Sequence, residues 1–179
     1  MKIETIKTTP IDGQMPGTSG LRKKTRVFME PRYLENFIQA TFVAIGGGTG
    51  KTFIVGGDGR FFNKDAIQTI IKMAAGNGAA GVIVGQNGIL STPAASHLIR
   101  LNKADGGFIL SASHNPGGID EDFGVKFNAQ NGGPAPEGLT AEIFDATTSI
   151  GHYKTVDVDD VDLSSIGTTR YGDMQIHVV

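Results

Sequence analysis

Ser111-Ala112-Ser113-His114-Asn115-Pro116-Gly117-Gly118 sets two hydroxyls and an imidazole directly after an apolar run, Gly107-Phe108-Ile109-Leu110. The run reads as a buried strand and the eight residues after it as a turn. Asn115, standing before proline, is pushed toward extended backbone angles, and Gly117-Gly118 can then turn the chain sharply. A serine at the carboxyl end of a strand, on so stiff a support, stands where a nucleophile or a phosphoryl carrier would be placed. The plainer alternative is a polar exit loop, and spacing alone does not choose between the two.

A free serine hydroxyl is a poor nucleophile without a base or a polarising metal. His114 is adjacent, but neighbouring side chains on an extended backbone point opposite ways, so a Ser113–His114 dyad is not expected. The Gly-x-Ser-x-Gly turn of hydrolases is missing, since Ser113 lies between alanine and histidine. Phosphoryl transfer fits better, because it depends on positioning and on neutralising phosphate charge. A second stretch suits an anion: the flexible Gly13–Gly20 loop, with its hydroxyls and backbone amides, runs into Arg22, Lys23, Lys24 and Arg26. A solvated basic strand is the ordinary alternative for that charge run.

Two further matches are excluded by context. Gly46-Gly47-Gly48-Thr49-Gly50-Lys51-Thr52 resembles a phosphate-binding loop, but position 45 is isoleucine where the pattern needs glycine. The stretch also joins a helix to a strand, the reverse of that motif's order, so it reads as a helix cap and loop in which Lys51 contributes little to stability. Asp122-Phe123-Gly124 reproduces a kinase tripeptide without any His-Arg-Asp partner. His97, on a helix near Leu98, has no partner at metal-like spacing and reads as a packing or surface residue.

The elements that must position these residues alternate. Strands are expected over Lys2–Thr8, Phe53–Gly57, Gly81–Val84, Gly107–Leu110, Phe123–Asn128 and Asp173–Val179, with Lys126 carried on the fifth. Helices are expected over Pro31–Ile45, Lys64–Ala75, Thr92 to about Lys103, and Glu137 to about Ile150, the third with Thr92 as N-cap and Pro93 at the first helical position. Tyr153–Thr168 is acidic and weakly patterned. Strand–helix alternation of this kind predicts an α/β fold with a mainly parallel sheet.

The 179 residues suit one domain, 1–179. Sixteen basic against eighteen acidic side chains give a formal charge of -2, dispersed along the chain, which argues against nucleic acid. There is no cysteine, so neither a disulfide framework nor a thiolate metal site can form. No apolar run is long enough for a membrane span, and Met1–Thr9 lacks a signal-peptide core, which makes a cytoplasmic protein the simplest expectation.

Ser111–Gly118 followed by Asp122-Phe123-Gly124-Val125-Lys126-Phe127-Asn128 resembles the phosphoserine loop of the α-D-phosphohexomutases, and within that superfamily is most similar to the phosphoglucomutases. The resemblance extends to Pro16-Gly17-Thr18-Ser19-Gly20-Leu21-Arg22, Gly56-Gly57-Asp58-Gly59-Arg60, Gly85–Pro93 and Asn131-Gly132-Gly133-Pro134-Ala135-Pro136-Glu137, in the family's order. It implies the first of four domains, a mixed sheet with helices on both faces. It implies that Ser113 carries the phosphoryl group, with Mg2+ on that phosphate. His114 and Lys126 match positions that contact the phosphate or assist proton movement, and Thr18, Ser19 and Arg22 match the lining beside the serine. The implied substrate is a hexose phosphate, converted through glucose 1,6-bisphosphate. The family's aspartate-rich metal loop, sugar loop and distal phosphate loop do not occur among these residues. The expectation is therefore the phosphoserine domain of a phosphoglucomutase, inactive without the other domains. The alternative is a free-standing module that binds a phosphate or a protein.

Overall fold

The computed structural model describes residues 1–179. In chain order the elements are β1 (Ile3–Lys7), β2 (Leu21–Lys24), α1 (Thr25–Phe28), α2 (Tyr33–Ala44), β3 (Thr52–Gly57), α3 (Asn63–Gly76) and β4 (Gly81–Ile89). The second half of the chain contributes α4 (Thr92–Leu101), β5 (Gly106–Leu110), β6 (Asp122–Asn128), α5 (Glu137–Ser149), β7 (His152–Val156), β8 (Gly167–Tyr171) and β9 (Met174–Val178). Seven strands form one sheet in the order β2-β6-β5-β3-β4-β9-β8, while β1 and β7 pair antiparallel in a small separate sheet. The four central strands, β5-β3-β4-β9, run parallel, and each edge is finished by antiparallel strands. The mixed, mainly parallel α/β sheet read from the sequence is the one observed.

Alternation along the strands divides the core into two. Phe53, Val55, Val82, Val84, Phe108, Leu110, Phe123, Val125 and Phe127 join the large cluster beneath α2, α3 and α5. Phe42 of α2 meets Phe53 edge-on at 5.5 Å, and Phe108 meets Phe127 at 5.3 Å, giving this layer a contiguous aromatic centre. Fully burying a phenylalanine contributes roughly 1.5–3 kcal/mol. On the opposite face Ile54, Ile83 and Ile109 pack with Ala95 and Ile99 of α4. Helix α4 lies chiefly over β3 and β5, and β2 and most of β6 extend past its cover. No helix is long and apolar enough to cross a membrane.

Local differences from the sequence reading have simple causes. The N-cap of α4 is Ser91, whose hydroxyl accepts a hydrogen bond from the Ala94 N–H at 3.2 Å, which moves Thr92 to the first helical position and Pro93 to the second. Strands β7 and β8 fall in or beside the weakly patterned tail. Strand β8 is a sheet edge exposed except at Tyr171, so it carries no apolar alternation. Lys51 does more than sit behind a cap. Its ammonium donates to the carbonyls of Ile45 and Gly47, at 2.7 and 2.8 Å, and so closes the end of α2. That engagement ties up the lysine that a nucleotide phosphate would need, and it gives Lys51 a part in closing the helix that the sequence reading did not assign.

Lys51→Ala removes a charge from the negative end of the α2 dipole and two hydrogen bonds. The expected loss is about 1 kcal/mol in urea unfolding. Calorimetric titration is expected to show no ATP binding to the parent or the variant; binding that disappears with Lys51 would restore the nucleotide reading.

Candidate active site

Parallel pairing of β3 with β5 brings their carboxyl ends together: the Asp58 N–H donates to the Leu110 carbonyl at 3.0 Å, and the serine loop begins one residue later. Buried Ala112 anchors the loop, while Ser113 and His114 are exposed. Ser113 adopts a left-handed backbone, φ +55°. That costs a non-glycine residue about 1 kcal/mol. The Ser113 N–H donates to Ser111 Oγ at 3.0 Å, and Asn115 N–H to the Ala112 carbonyl at 3.1 Å. Because Ser113 is left-handed and not extended, its hydroxyl and His114 Nδ1 come to 3.5 Å, the outer limit of a hydrogen bond. The sequence expectation that the two side chains diverge is corrected to that extent.

Arg60 is the residue that sequence reasoning missed, although it lies within one of the motif blocks. Its side chain is only 7% exposed, and its guanidinium reaches across the loop. Nη2 donates to the Ser113 carbonyl at 3.1 Å, and Nη1 to the Asp122 and Pro116 carbonyls at 2.9 and 3.4 Å. Nε contacts both carboxylate oxygens of Asp58 at 3.0 Å. The local signal is an acid and an arginine two apart, joined by glycine, straight after a buried strand; the carbonyls they serve lie far off in sequence. Asp122 closes the loop's far side, accepting from Asn115 Nδ2 at 3.1 Å and pairing with Lys24 at 3.0 Å. The Lys24 hydrogen bond, before Asn115 and Arg60, holds the Asp122 carboxyl below its ordinary range.

Beyond the cover of α4, the remaining candidates converge on the polar face of β6 and β2. On β6 the residues Phe123, Val125 and Phe127 face the large core, so Gly124 and Lys126 face the other way. Arg22 is directly across from Gly124, and a side chain at Gly124 would meet Arg22 Cγ and the Ser111 carbonyl. Gly17 and Gly20 exchange both backbone hydrogen bonds at 3.0 Å, holding Thr18 and Ser19 exposed at the tip of a tight turn. Gly20, with φ +84°, lies so close to Lys126 that a Cβ there would strike it. Thr18 and Lys126 line one crevice with Pro16 and Phe127. Burial, and then the nearby Arg22 charge, pull the Lys126 ammonium below its ordinary range. Every ion pair in the structure involves other residues, so Arg22 and Lys126 have no carboxylate partner.

The structure therefore joins Ser113 with His114, Arg22 with the segment leading to the serine loop, and Thr18 with Lys126. No hydrogen bond ties the Ser113 hydroxyl to Thr18, Ser19, Arg22 or Lys126. A hydroxyl on a rigid turn at the carboxyl end of a parallel sheet, with Arg22 and Lys126 unpaired on the adjoining strands, suits an anionic group attached to or approaching the serine. A metal centre is not assembled from these residues. No group of three or more His, Asp or Glu side chains is placed to hold a metal ion, and the one carboxylate at the loop's base, Asp58, is held by Arg60.

The chain is thus a three-layer α/β domain that presents an exposed serine on a left-handed turn at the carboxyl end of its parallel strands. Residues 13–154 match the family described as phosphoglucomutase/phosphomannomutase, alpha/beta/alpha domain I, and the chain belongs to that family. It is 56% identical over 177 residues to the cytoplasmic phosphoglucomutase of Populus tremula, covering 94% of this chain and 30% of that protein. It is 53% identical to the chloroplastic phosphoglucomutase of Brassica napus, covering 100% of this chain and 29% of the relative. The crystal structure of the Paramecium phosphoprotein parafusin, a phosphoglucomutase in its open form, superposes with a TM-score of 0.93 at 44% identity, over 99% of this chain and 34% of that one. The chain thus spans about a third of the length of these relatives.

Lys126 yields a prediction whose sign is fixed. Its folded pKa lies below the ordinary 10.5, so between the two values the unfolded chain holds more protons than the folded one. Stability relative to Lys126→Met is expected to rise as pH climbs through that alkaline interval toward 10.5. Urea unfolding of both proteins at several alkaline pH values measures this, and a difference that stays flat or falls would show that the ammonium is not desolvated.

Proposed function

We propose that these residues form the phosphoserine domain, 1–179, of a phosphoglucomutase that interconverts glucose 1-phosphate and glucose 6-phosphate. The observation that carries the reading is Ser113: exposed, left-handed and pinned at the mouth of a parallel sheet whose adjoining strands carry two cations that no carboxylate neutralises. In the first transfer the substrate's 6-hydroxyl oxygen attacks phosphorus, the bond to Ser113 Oγ breaks, and glucose 1,6-bisphosphate forms. After that intermediate turns round, Ser113 Oγ attacks the phosphorus at carbon 1, and glucose 6-phosphate leaves. His114 and Lys126 are assigned to the phosphate and to proton movement, for which a lysine with depressed pKa is suited. Thr18, Ser19 and Arg22 are assigned to the phosphate-binding wall.

Mg2+ is the proposed metal, taking an oxygen of the Ser113 phosphate from this chain and its other ligands from outside these residues. The sugar and distal phosphate contacts are likewise assigned to further domains of the same protein. The cytoplasm is the proposed compartment, in line with the Populus relative. Nothing in the charge or surface pattern supports nucleic acid or a membrane as a partner.

Two outcomes are expected. In the complete mutase, Ser113→Ala abolishes turnover while circular dichroism and melting remain those of the parent; near-normal turnover would refute the assignment. Residues 1–179 alone are expected to fold cooperatively, yet to give no steady conversion in a coupled assay with glucose 1-phosphate, the bisphosphate and magnesium. Losing the positioning of substrate removes a large part of the acceleration, and the metal contributes several kcal/mol more. Sustained conversion by a preparation free of host mutase would mean that the catalytic groups all lie within this chain.

A further inference from the structure

The peptide groups on both sides of the Ser113 Cα are fixed by different side chains. Its N–H is held by Ser111 Oγ at 3.0 Å, and its carbonyl by Arg60 Nη2 at 3.1 Å. With both peptide planes fixed and φ at +55°, the direction of the Cα–Cβ bond is determined, and with it the arc on which the hydroxyl can lie. Ser111 belongs to the loop itself, so it turns with the loop. Arg60 does not: it comes from the end of β3 and binds the loop at its start, middle and finish, through Ser113, Pro116 and Asp122. A Cβ at Gly117 would fall 2.9 Å from the Arg60 Cβ, so the loop lies directly on the arginine stem.

The guanidinium is also fully occupied. Nε is shared between the two Asp58 oxygens, Nη1 between the Asp122 and Pro116 carbonyls, and Nη2 between the Ser113 carbonyl and Asp58 Oδ2, the last at 2.8 Å. No N–H group remains for a phosphate, in contrast to Arg22 and Lys126. We propose that Arg60, oriented by Asp58, is a positioning residue that aims the Ser113 hydroxyl for phosphoryl transfer and does not itself bind phosphate. This rests on the phosphoserine reading. Lysine cannot replace it, because an ammonium is a point donor and cannot span three carbonyls and a carboxylate.

The test uses the complete mutase polypeptide and two readouts. Arg60→Lys is expected to lower kcat about 100-fold, as a small misplacement of a reacting group does. KM for glucose 1-phosphate is expected to change little, because substrate binding is left intact. Guanidinium ion added to Arg60→Ala is expected to restore part of the turnover, and methylammonium none. Independently of activity, the Ser113 amide and Cα resonances of unphosphorylated Arg60→Lys are expected to leave the left-handed range. Asp58→Asn, which keeps the guanidinium but frees it from its carboxylate, gives a smaller loss in the same direction and serves if Arg60→Ala does not fold. A parental kcat in Arg60→Lys, a loss confined to KM, or unchanged Ser113 resonances would each overturn the proposal. If the parent itself shows no mutase activity, the functional reading fails, and the resonances alone decide whether Arg60 sets the backbone of Ser113.

Discussion

A guanidinium can be buried only if its charge and all its N–H groups find partners. Arg60 meets that condition at one place, between the ends of β3 and β5, and the loop that carries Ser113 is shaped by meeting it. Its carbonyl partners lie 53, 56 and 62 residues away in sequence, so no local preference could assemble them. Parallel pairing does so instead. Because β3 and β5 run the same way, their carboxyl ends arrive side by side, and the loops that leave the two strands become neighbours. The left-handed serine is then tolerable, since about 1 kcal/mol of backbone strain is small beside charge-assisted hydrogen bonds of roughly 1.5–3 kcal/mol each.

Uneven helix cover supplies the second half of the site. Helix α4 is ten residues long and rests on β3 and β5, where Ile54 and Ile109 are fully buried beneath it. Past its edge the same sheet face carries Gly124 and Lys126 on β6 and Arg22 on β2. The other face of β6 is closed by Phe123, Val125 and Phe127, so that strand is half core and half site. The state of Lys126 is a result of this geometry. Its stem lies along packed surface, its ammonium is partly desolvated, and Gly20 leaves it room that a larger residue would fill.

Much of this was legible in the sequence, and the reasons differ from element to element. The alternation Asp-Phe-Gly-Val-Lys-Phe-Asn announces a half-buried strand with one polar face, and the apolar stripe of α2 announces a core helix. Strand β8 was not legible because an exposed edge needs no apolar period, and β7 because its partner β1 lies at the far end of the chain. The serine loop stood out by its residue types. Its backbone did not: extended angles were the natural assumption at Ser113, and tertiary hydrogen bonds set a left-handed one. Arg60 shows the same limit, since its acid–glycine–arginine signal gives a turn but not the carbonyls that the arginine will hold.

The cations around the loop fall into two groups that do different work. Arg60, Lys24 and Arg26 are paired with Asp58, Asp122 and Asp120, carboxylates within or beside the segments that frame the loop. Arg22 and Lys126 are paired with none. On the proposed reading a phosphoryl group on Ser113 adds between one and two negative charges, which would disrupt the loop if the same cations both held its shape and bound the phosphate. Here they are separate. Arg60 grips backbone carbonyls, which take no part in esterifying the hydroxyl, and the unpaired cations stand apart from them on the strands β2 and β6. A carrier that alternates between two charge states can in this way keep one shape, and that constancy is what in-line transfer to a substrate turning between two orientations requires.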